Sequence, residues 1–436
     1  TTNELYRRDE LYWLSGYNDF LLSENIDPNG LSLLTTNNYD ADGRLVSTVR
    51  PDGSWERREY DSEGWLVRVV RPLTNQPPSA SNADCRVTEY DYASVAGSPD
   101  SSSAQIGKPR TVTERIANEV VSQTFHAYAS EYDTYTQLGG PASGGWDDSD
   151  NESSREEVDS KFRTIRIENP DGTYTTTDYA DDDNTGRLIT VRNYDSGGTE
   201  FRKSEEQSNV LGELVSRKTY DKTSGSYILV DQELHSDPDE LRRFTKVTQL
   251  DGSSSLTVPQ DCCSLAYSVD RDGVTNTYVY DALKRLVATT RLGITTSNIL
   301  DAASRLRSQT RKGTSGSPIT LRSFGYDAAG RVLRETNAAG AVTSYGYVVD
   351  GNSQSVAMVT NADGGTRIET RFRDSDLASI TGTAVFPVRF SYGVTNDGVP
   401  RAFIWEIKLN SAGADTAEWS TTPITITIHF PQRNEL

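Results

Sequence analysis

Polar and apolar residues alternate along short stretches of the chain, and turn-forming residues separate these stretches. The alternation is clear in residues 173–179 and 274–280, which are rich in Thr, Val and Tyr, and it is cleanest in residues 424–430. A period of two is typical of a β-strand that packs one face and leaves the other in water. The pattern therefore predicts many short strands and favours an all-β protein.

Asp-Gly pairs indicate where the strands reverse direction. They occur at 52–53, 171–172 and 272–273. A tight turn between twisted strands needs a positive φ, which Gly adopts without steric cost. An aromatic residue lies seven positions after the Gly in five places, namely Gly53 and Tyr60, Gly172 and Tyr179, Gly273 and Tyr280, Gly340 and Tyr347, and Gly365 and Phe372. The spacing predicts a hairpin whose second turn begins at the aromatic residue.

That second turn carries a recurring phrase, Tyr-Asp-x-x-Gly-Arg-Leu or Val. It is complete at 39–45 and 326–332, and weaker copies lie at 61–66, 183–188, 209–214, 281–286 and 301–306. The carboxylate can accept backbone N–H groups in an Asx-type turn, and the Gly supplies a left-handed position. The Tyr hydroxyl needs a partner once it is buried, and we expect the periodic Arg to pair with a repeat carboxylate rather than to bind a ligand. Because a lone hairpin is marginally stable in water, the units should pair edge to edge in one continuous sheet.

This set of phrases resembles the RHS repeat, also called the YD repeat, of bacterial rearrangement-hotspot proteins, insecticidal toxin-complex shells and animal teneurins. The recognisable copies span residues 30–72, 165–220 and 267–375. The resemblance implies antiparallel β-hairpin repeats that form a continuous curved or spiralling sheet, as in a hollow shell or barrel. Many RHS proteins carry a self-cleaving core segment and a toxin domain after the repeats. No Asp-Pro-x-Gly core phrase occurs near the C-terminus, so we expect a shell-like chain without cargo. With roughly ten to fifteen hairpins, an open or small curved sheet is favoured over a large closed cage.

The sequence predicts a repeat body over residues 1–382 with an irregular insertion around 73–160, followed by a C-terminal β segment, 383–436, that caps the exposed edge of the sheet. A chain cut from a longer protein is the alternative. Insertions on a regular scaffold often carry binding residues. Trp146, in a Gly- and Asp-rich loop, is therefore a candidate for stacking on a sugar ring, the alternative being a Trp packed under its own loop.

A catalytic hypothesis rests on His126 and Tyr128, which lie on the same side of a strand if residues 119–130 alternate. A His and a Tyr beside an Arg are what β-elimination from a uronate polysaccharide requires: one group removes a proton, another protonates the leaving oxygen, and a cation neutralises the carboxylate. The alternative is a His at the edge of a core.

The net charge of −19 argues against nucleic acid and anionic membrane surfaces as partners, and no apolar stretch approaches the length of a membrane span. A polysaccharide or cell-surface glycan is the expected partner, with self-association through sheet edges as a further option. Composition and family resemblance favour a secreted or cell-surface location.

The cysteines and the acidic stretches leave alternatives open. Cys85 could bridge to Cys262 or Cys263, or the cysteines could remain buried and free. No cofactor is expected, although the Asp-rich stretches 147–150 and 181–183 leave calcium as an option.

Three functions follow in order of preference. The first is a structural or carbohydrate-binding RHS/YD-repeat protein without catalysis. The second is a polysaccharide lyase, and the third is a shell fragment of a toxin assembly.

Overall fold

The computed structural model describes residues 8–15, 18–28, 32–101, 103–141, 143–349, 354–395, 400–410 and 415. These residues form 32 β-strands and one 3₁₀ helix, Asn82–Asp84. The strands are β1 (Arg8–Ser15), β2 (Asn18–Ile26), β3 (Leu33–Tyr39), β4 (Leu45–Val49), β5 (Trp55–Tyr60), β6 (Leu66–Arg71), β7 (Arg86–Asp91), β8 (Thr111–Ile116), β9 (Glu119–Ser130), β10 (Asp133–Gly139), β11 (Glu152–Val158), β12 (Thr164–Glu168), β13 (Tyr174–Asp182), β14 (Gly186–Tyr194), β15 (Glu200–Ser208), β16 (Leu214–Thr223), β17 (Ser226–Pro238), β18 (Phe244–Gln249), β19 (Ser254–Pro259), β20 (Leu265–Val269), β21 (Thr275–Tyr280), β22 (Leu286–Arg291), β23 (Ile294–Leu300), β24 (Leu306–Lys312), β25 (Ile319–Tyr326), β26 (Val332–Asn337), β27 (Val342–Val349), β28 (Ser355–Thr360), β29 (Thr366–Arg371), β30 (Leu377–Thr381), β31 (Val388–Thr395) and β32 (Arg401–Lys408).

Every strand pairs antiparallel with the next strand in the chain, from β1 to β32, so the whole described chain is one sheet of consecutive hairpins. The sheet is curved and not closed, since β1 and β32 pair only with β2 and β31 among the described strands. This confirms the predicted fold class of antiparallel hairpin repeats in one continuous curved sheet.

Successive turns lie on alternate edges of such a sheet. We call the edge formed by the turns after odd-numbered strands the Tyr-Asp rim; it includes the turns at 281–285 and 372–376. The edge formed by the turns after even-numbered strands is the opposite rim, and it includes the Asp-Gly turn at 270–274. Gly273 has a φ of 79°, as the Asp-Gly signal predicts.

The predicted insertion does not interrupt the sheet. Strands β7 to β11 continue the hairpin order, and the irregular parts are three loops at 72–85, 92–110 and 140–151. Strands β31 and β32 likewise continue the sheet beyond residue 383. The division into a repeat body and a C-terminal cap stays a prediction, and residues 416–436, which include the alternating stretch 424–430, lie outside the described residues.

Two small hydrophobic clusters lie where the insertion loops fold back over the sheet. One contains Trp55, Val70, Cys85 and Val87, and the other contains Phe125, Ala127 and Trp146. Most strand residues in the remaining described part are half-buried. The long loops therefore supply the cover that a single-layered sheet lacks.

For Cys262 and Cys263 both alternatives that the sequence left open are wrong, and Cys85 alone is buried and free. Cys85 is free and fully buried, whereas Cys262 and Cys263 are bonded to each other at the exposed tip between β19 and β20. A bridge from Cys85 to either of them is therefore wrong, because the sulfurs belong to hairpins far apart in the sheet. Burial is the main cause that raises the pKa of the Cys85 thiol, in line with a structural cysteine.

Candidate functional site: the repeat turns and the coil seam

Six described turns on the Tyr-Asp rim are each closed by their own Asp and Arg. In the turn at 281–285, Asp281 Oδ1 accepts the N–H groups of Leu283 at 2.9 Å and Arg285 at 3.0 Å, and Asp281 Oδ2 accepts Arg285 Nε at 2.7 Å. The Arg285 guanidinium and N–H lower the pKa of the Asp281 carboxyl, so this turn is built around an ionised carboxylate. The same ion pair joins Asp40 to Arg44, Asp159 to Arg163, Asp239 to Arg243, Asp301 to Arg305 and Asp327 to Arg331. The predicted Asx-type turn and the predicted pairing of the periodic Arg are both confirmed.

The repeat tyrosine links each hairpin to the preceding one. The Tyr326 hydroxyl donates to the Leu306 carbonyl at 2.8 Å, and Leu306 directly follows Arg305, whose guanidinium carbon lies 4.8 Å from the centre of the Tyr326 ring. Equivalent hydroxyl bonds run from Tyr60 to Leu45, Tyr92 to Leu66, Tyr179 to Thr164 and Tyr392 to Leu377. Where Trp65 replaces the Arg, the centre of its ring lies 4.8 Å from that of Tyr92, with the two ring planes tilted by 41°. A hydrogen bond and a ring contact therefore fix the order and spacing of neighbouring repeats.

A second kind of contact joins parts of the chain that are about three hundred residues apart. The Thr74 N–H, in the loop after β6, donates to Asp374 Oδ2 at 2.6 Å, and the Asp374 N–H donates to the Thr74 carbonyl at 3.3 Å. The Arg373 N–H donates to Asn75 Oδ1 at 3.3 Å. We call this contact between the loop 72–85 with Arg86 and the turn 372–376 the seam. It places the Tyr-Asp rim of a late hairpin on the opposite rim of an early one, so the sheet winds into a coil.

Within the seam, the carboxylates of Asp374 and Asp376 lie near the guanidinium of Arg86. Arg86 lies 2.5 Å from Asp376 and 3.6 Å from Asp374, and the Asp374 side chain is only 5% exposed. Burial, followed by the neighbouring Asp376 charge, raises the pKa of Asp374 to about 6, against the opposing effects of the Thr74 N–H and Arg86. Asp374 therefore changes its charge close to neutral pH at a buried contact.

The seam also sets the size of the coil. It joins the end of β6 to the end of β29, so about twenty-three strands make one turn, and at about 4.8 Å per strand the circumference is about 110 Å and the diameter about 35 Å. After about 5 Å is allowed on each side for the inward side chains, which is half the usual distance between packed sheets, the interior is about 25 Å across. This width accommodates a polypeptide.

The structure brings His126 and Tyr128 together on one face of β9, as the alternation predicts. Their ring centres are 6.3 Å apart, His126 Nδ1 lies 3.1 Å from Thr136 Oγ1, and the Tyr128 hydroxyl donates to the Pro109 carbonyl at 3.3 Å. Desolvation lowers the pKa of His126, which favours a neutral imidazole. The catalytic assignment itself stays a prediction.

The cation that the lyase hypothesis needs is present beside this pair but is already engaged. The Arg110 guanidinium lies 4.6 Å over the Tyr128 ring and is 3% exposed. It forms an ion pair with Asp100 and donates to the Ala104 carbonyl at 2.7 Å and the Lys108 carbonyl at 2.7 Å. This arrangement holds the loop 92–110 on the sheet.

Trp146 is 7% exposed and packs against Phe125 and Ala127. It also lines a groove of about 410 Å³ together with Asp147 and Asp148. The ring thus lies largely under its own loop, and its use as a sugar platform stays a prediction.

The calcium option remains a prediction. The part of the chain that the structure describes contains no group of three or more His, Cys, Asp or Glu side chains arranged to hold a metal ion. Asp148 accepts the Gly144 and Asp150 N–H groups, and Asp181 pairs with Lys161, Arg163 and Arg187. These carboxylates serve turns and ion pairs in the structure.

The repeating turns and the tyrosine links define a structural β-repeat protein. The RHS Repeat family matches residues 39–76 and 326–366, which contain the two complete Tyr-Asp phrases. These two regions of the chain are therefore RHS repeats. No curated protein matches the chain in a sequence search.

Several solved structures are similar to the chain. TcdB2-TccC3-TEV shows 12% identity and a TM-score of 0.49 over 91% of this chain and 22% of its own. A Photorhabdus luminescens Tc holotoxin pore shows 13% identity and a TM-score of 0.43 over 88% of this chain and 21% of its own. The chain thus spans about a fifth of the length of these proteins. In the described residues, no helix has the length and hydropathy of a membrane span.

Proposed function

We propose that this RHS-repeat chain is a wall-forming protein whose coiled sheet encloses another polypeptide. The seam is the observation that carries the proposal, because it converts a ribbon of hairpins into a coil with an interior. The partner is then a protein chain held inside, and the toxin-assembly shell is the nearest of the functions expected from the sequence. A secreted location belongs to this proposal.

The repeat turns support the same role. Their carboxylates and guanidinium groups are used in closing turns, and the tyrosine hydroxyls are used in joining repeats. Neither the carbohydrate-binding nor the lyase alternative is favoured by a specific contact among the described residues, since Arg110 is buried and Trp146 packs under its loop. These side chains thus stabilise the sheet itself, which supports the role of a wall-forming protein.

Small-angle X-ray scattering tests the coil. A flat ribbon of 32 strands would be roughly 150 Å long, whereas a coil of about 35 Å diameter is far shorter. Arg86→Glu places a third negative charge beside Asp374 and Asp376, so the maximum dimension should increase. Arg334→Glu makes the same charge change at an exposed site on β26 and should leave the dimension unchanged. A wild-type chain as long as the flat ribbon would refute the coil.

Enclosure is tested separately by protease protection. An unfolded polypeptide fused to the chain should resist digestion in the wild type and become sensitive in the Arg86→Glu variant. Equal sensitivity in both proteins would refute a containing role while leaving the coil intact.

A further inference from the structure

The third residue of the five-residue turn is a buried Asp at the seam but an exposed apolar residue in several other turns of the Tyr-Asp rim. In the turn 281–285, the Asp281 N–H donates to the Arg285 carbonyl and the Lys284 N–H to the Asp281 carbonyl; in the seam turn, the Phe372 N–H donates to the Asp376 carbonyl and the Ser375 N–H to the Phe372 carbonyl. Asp374 in the seam is therefore equivalent to Leu283. At the seam, this third residue contacts the opposite rim of the adjacent turn of the same coil.

Three turns carry an exposed leucine at this same position. Leu211 is 59% exposed, Leu241 is 62% exposed and Leu283 is 70% exposed. In each turn the leucine N–H donates at 2.9 Å to the side chain of the first turn residue, so the backbone fixes its outward position. We call these three residues the leucine rim. Their turns lie within a run of four successive turns of the Tyr-Asp rim, over about 30 Å at two strands per turn.

We propose that the leucine rim is an interface for a second copy of this chain, which presents its opposite rim as the loop 72–85 does at the seam. The proposal rests on the coil described above, because the coil fixes which rim faces which. The three leucines are exposed apolar side chains at the turn position that makes the contact between rims at the seam, and a second copy stacked in the same way would bury them. The two rims of one chain are different surfaces, so the association is head to tail and grows with concentration.

The charge of the chain predicts how this association depends on salt. Each copy carries a net charge of −19, so two copies repel each other at low ionic strength. Salt screens this repulsion but does not weaken the burial of leucine. Association through the leucine rim should therefore become stronger as salt is added, whereas association through ion pairs would become weaker.

Sedimentation velocity over a range of concentrations is the primary test. The wild type should associate, and the double variant Leu241→Asp with Leu283→Asp should associate at least tenfold more weakly. Met358→Asp is the matched control, because Met358 is 42% exposed but lies in the middle of β28 and outside the turns of either rim. A wild type that remains monomeric at all concentrations, or a double variant that associates as the wild type does, would overturn the proposal.

Zero-length cross-linking identifies the surfaces. Lys284 lies on the Tyr-Asp rim and Asp272 on the opposite rim, at the two ends of β21 and about 25 Å apart within one copy. A carbodiimide cross-link between them must therefore join two copies, and mixing light and heavy isotopes verifies this. Cross-links within one rim only would contradict the head-to-tail arrangement. A monomer whose scattering still reports a coil would overturn this inference and leave the proposed function standing.

Discussion

The buried carboxyl of Asp374 makes the seam sensitive to pH, and Asp374→Asn tests this directly. The Asn keeps an oxygen that can accept the Thr74 N–H but cannot ionise. The change removes the negative charge of Asp374 and leaves the carboxylate of Asp376 beside Arg86. We therefore expect the variant to hold the seam at neutral pH as firmly as the wild type does in acid.

The direction and size follow from the pKa of Asp374. The seam raises it from 3.8 to about 6, so the closed seam binds a proton more tightly than the open chain does. The resulting stabilisation is fully present below pH 3.8 and is lost as the pH rises through about 6. The difference corresponds to about 3 kcal/mol, or about a hundredfold in the equilibrium between closed and open seam.

Amide hydrogen exchange measures this equilibrium locally. After correction for the intrinsic exchange rate, protection of the Thr74 amide should fall by up to about a hundredfold between acidic and mildly alkaline solution. In Asp374→Asn the protection should be nearly independent of pH. The Arg285 amide, which donates to the ionised Asp281 carboxylate, is an internal reference that should not change above pH 5. Protection of Thr74 that rises with pH, or that changes equally in the variant, would refute the reasoning.

Three further changes test other contacts. Tyr326→Phe removes the hydroxyl bond to the Leu306 carbonyl and should cost about 1 kcal/mol of unfolding free energy in urea titration; no loss would show that water replaces the bond. Arg110→Ala leaves Asp100 buried without its cation and should cost about 3–5 kcal/mol, and the double variant with Asp100→Ala should recover part of that loss. The Cys85 thiol should resist alkylation in the folded protein and react on unfolding, so rapid labelling of native protein would contradict its burial.

The repeat turns could be predicted from the sequence because their chemistry is local. Asp281 and Arg285 are four residues apart, and the turn needs only the side chains that the phrase itself supplies. The partner of the tyrosine hydroxyl was harder to predict, since it is a backbone carbonyl of the neighbouring hairpin and carries no sequence signal. The direction of the strands and the need for a hydroxyl partner were predictable, but the identity of the partner was not.

The seam could not be predicted because it depends on twist accumulated over many strands. Each strand is rotated slightly relative to its neighbour, and the sum of these rotations over about twenty-three strands determines which turn of the Tyr-Asp rim contacts which loop of the opposite rim. Nothing in the local sequence of Thr74 or Asp374 indicates the other. The bond between Cys262 and Cys263 was missed because the sequence analysis considered only a bridge to Cys85 or free buried cysteines, whereas the pair lies in one exposed turn.

The insertion loop 72–85 is therefore as important for the architecture as the repeats. In a repeat array each unit contacts its neighbours, so the repeats determine the spacing of strands but leave the pitch of the coil free. The loop supplies the missing long-range contact, and it is held in place by Trp55, whose Nε1 donates to the Gln76 carbonyl at 2.8 Å, and by Arg57, which donates to the carbonyls of Pro78 and Ala80. A change that frees this loop should consequently leave the hairpins paired while releasing the coil, because strand pairing and coil closure rest on different residues.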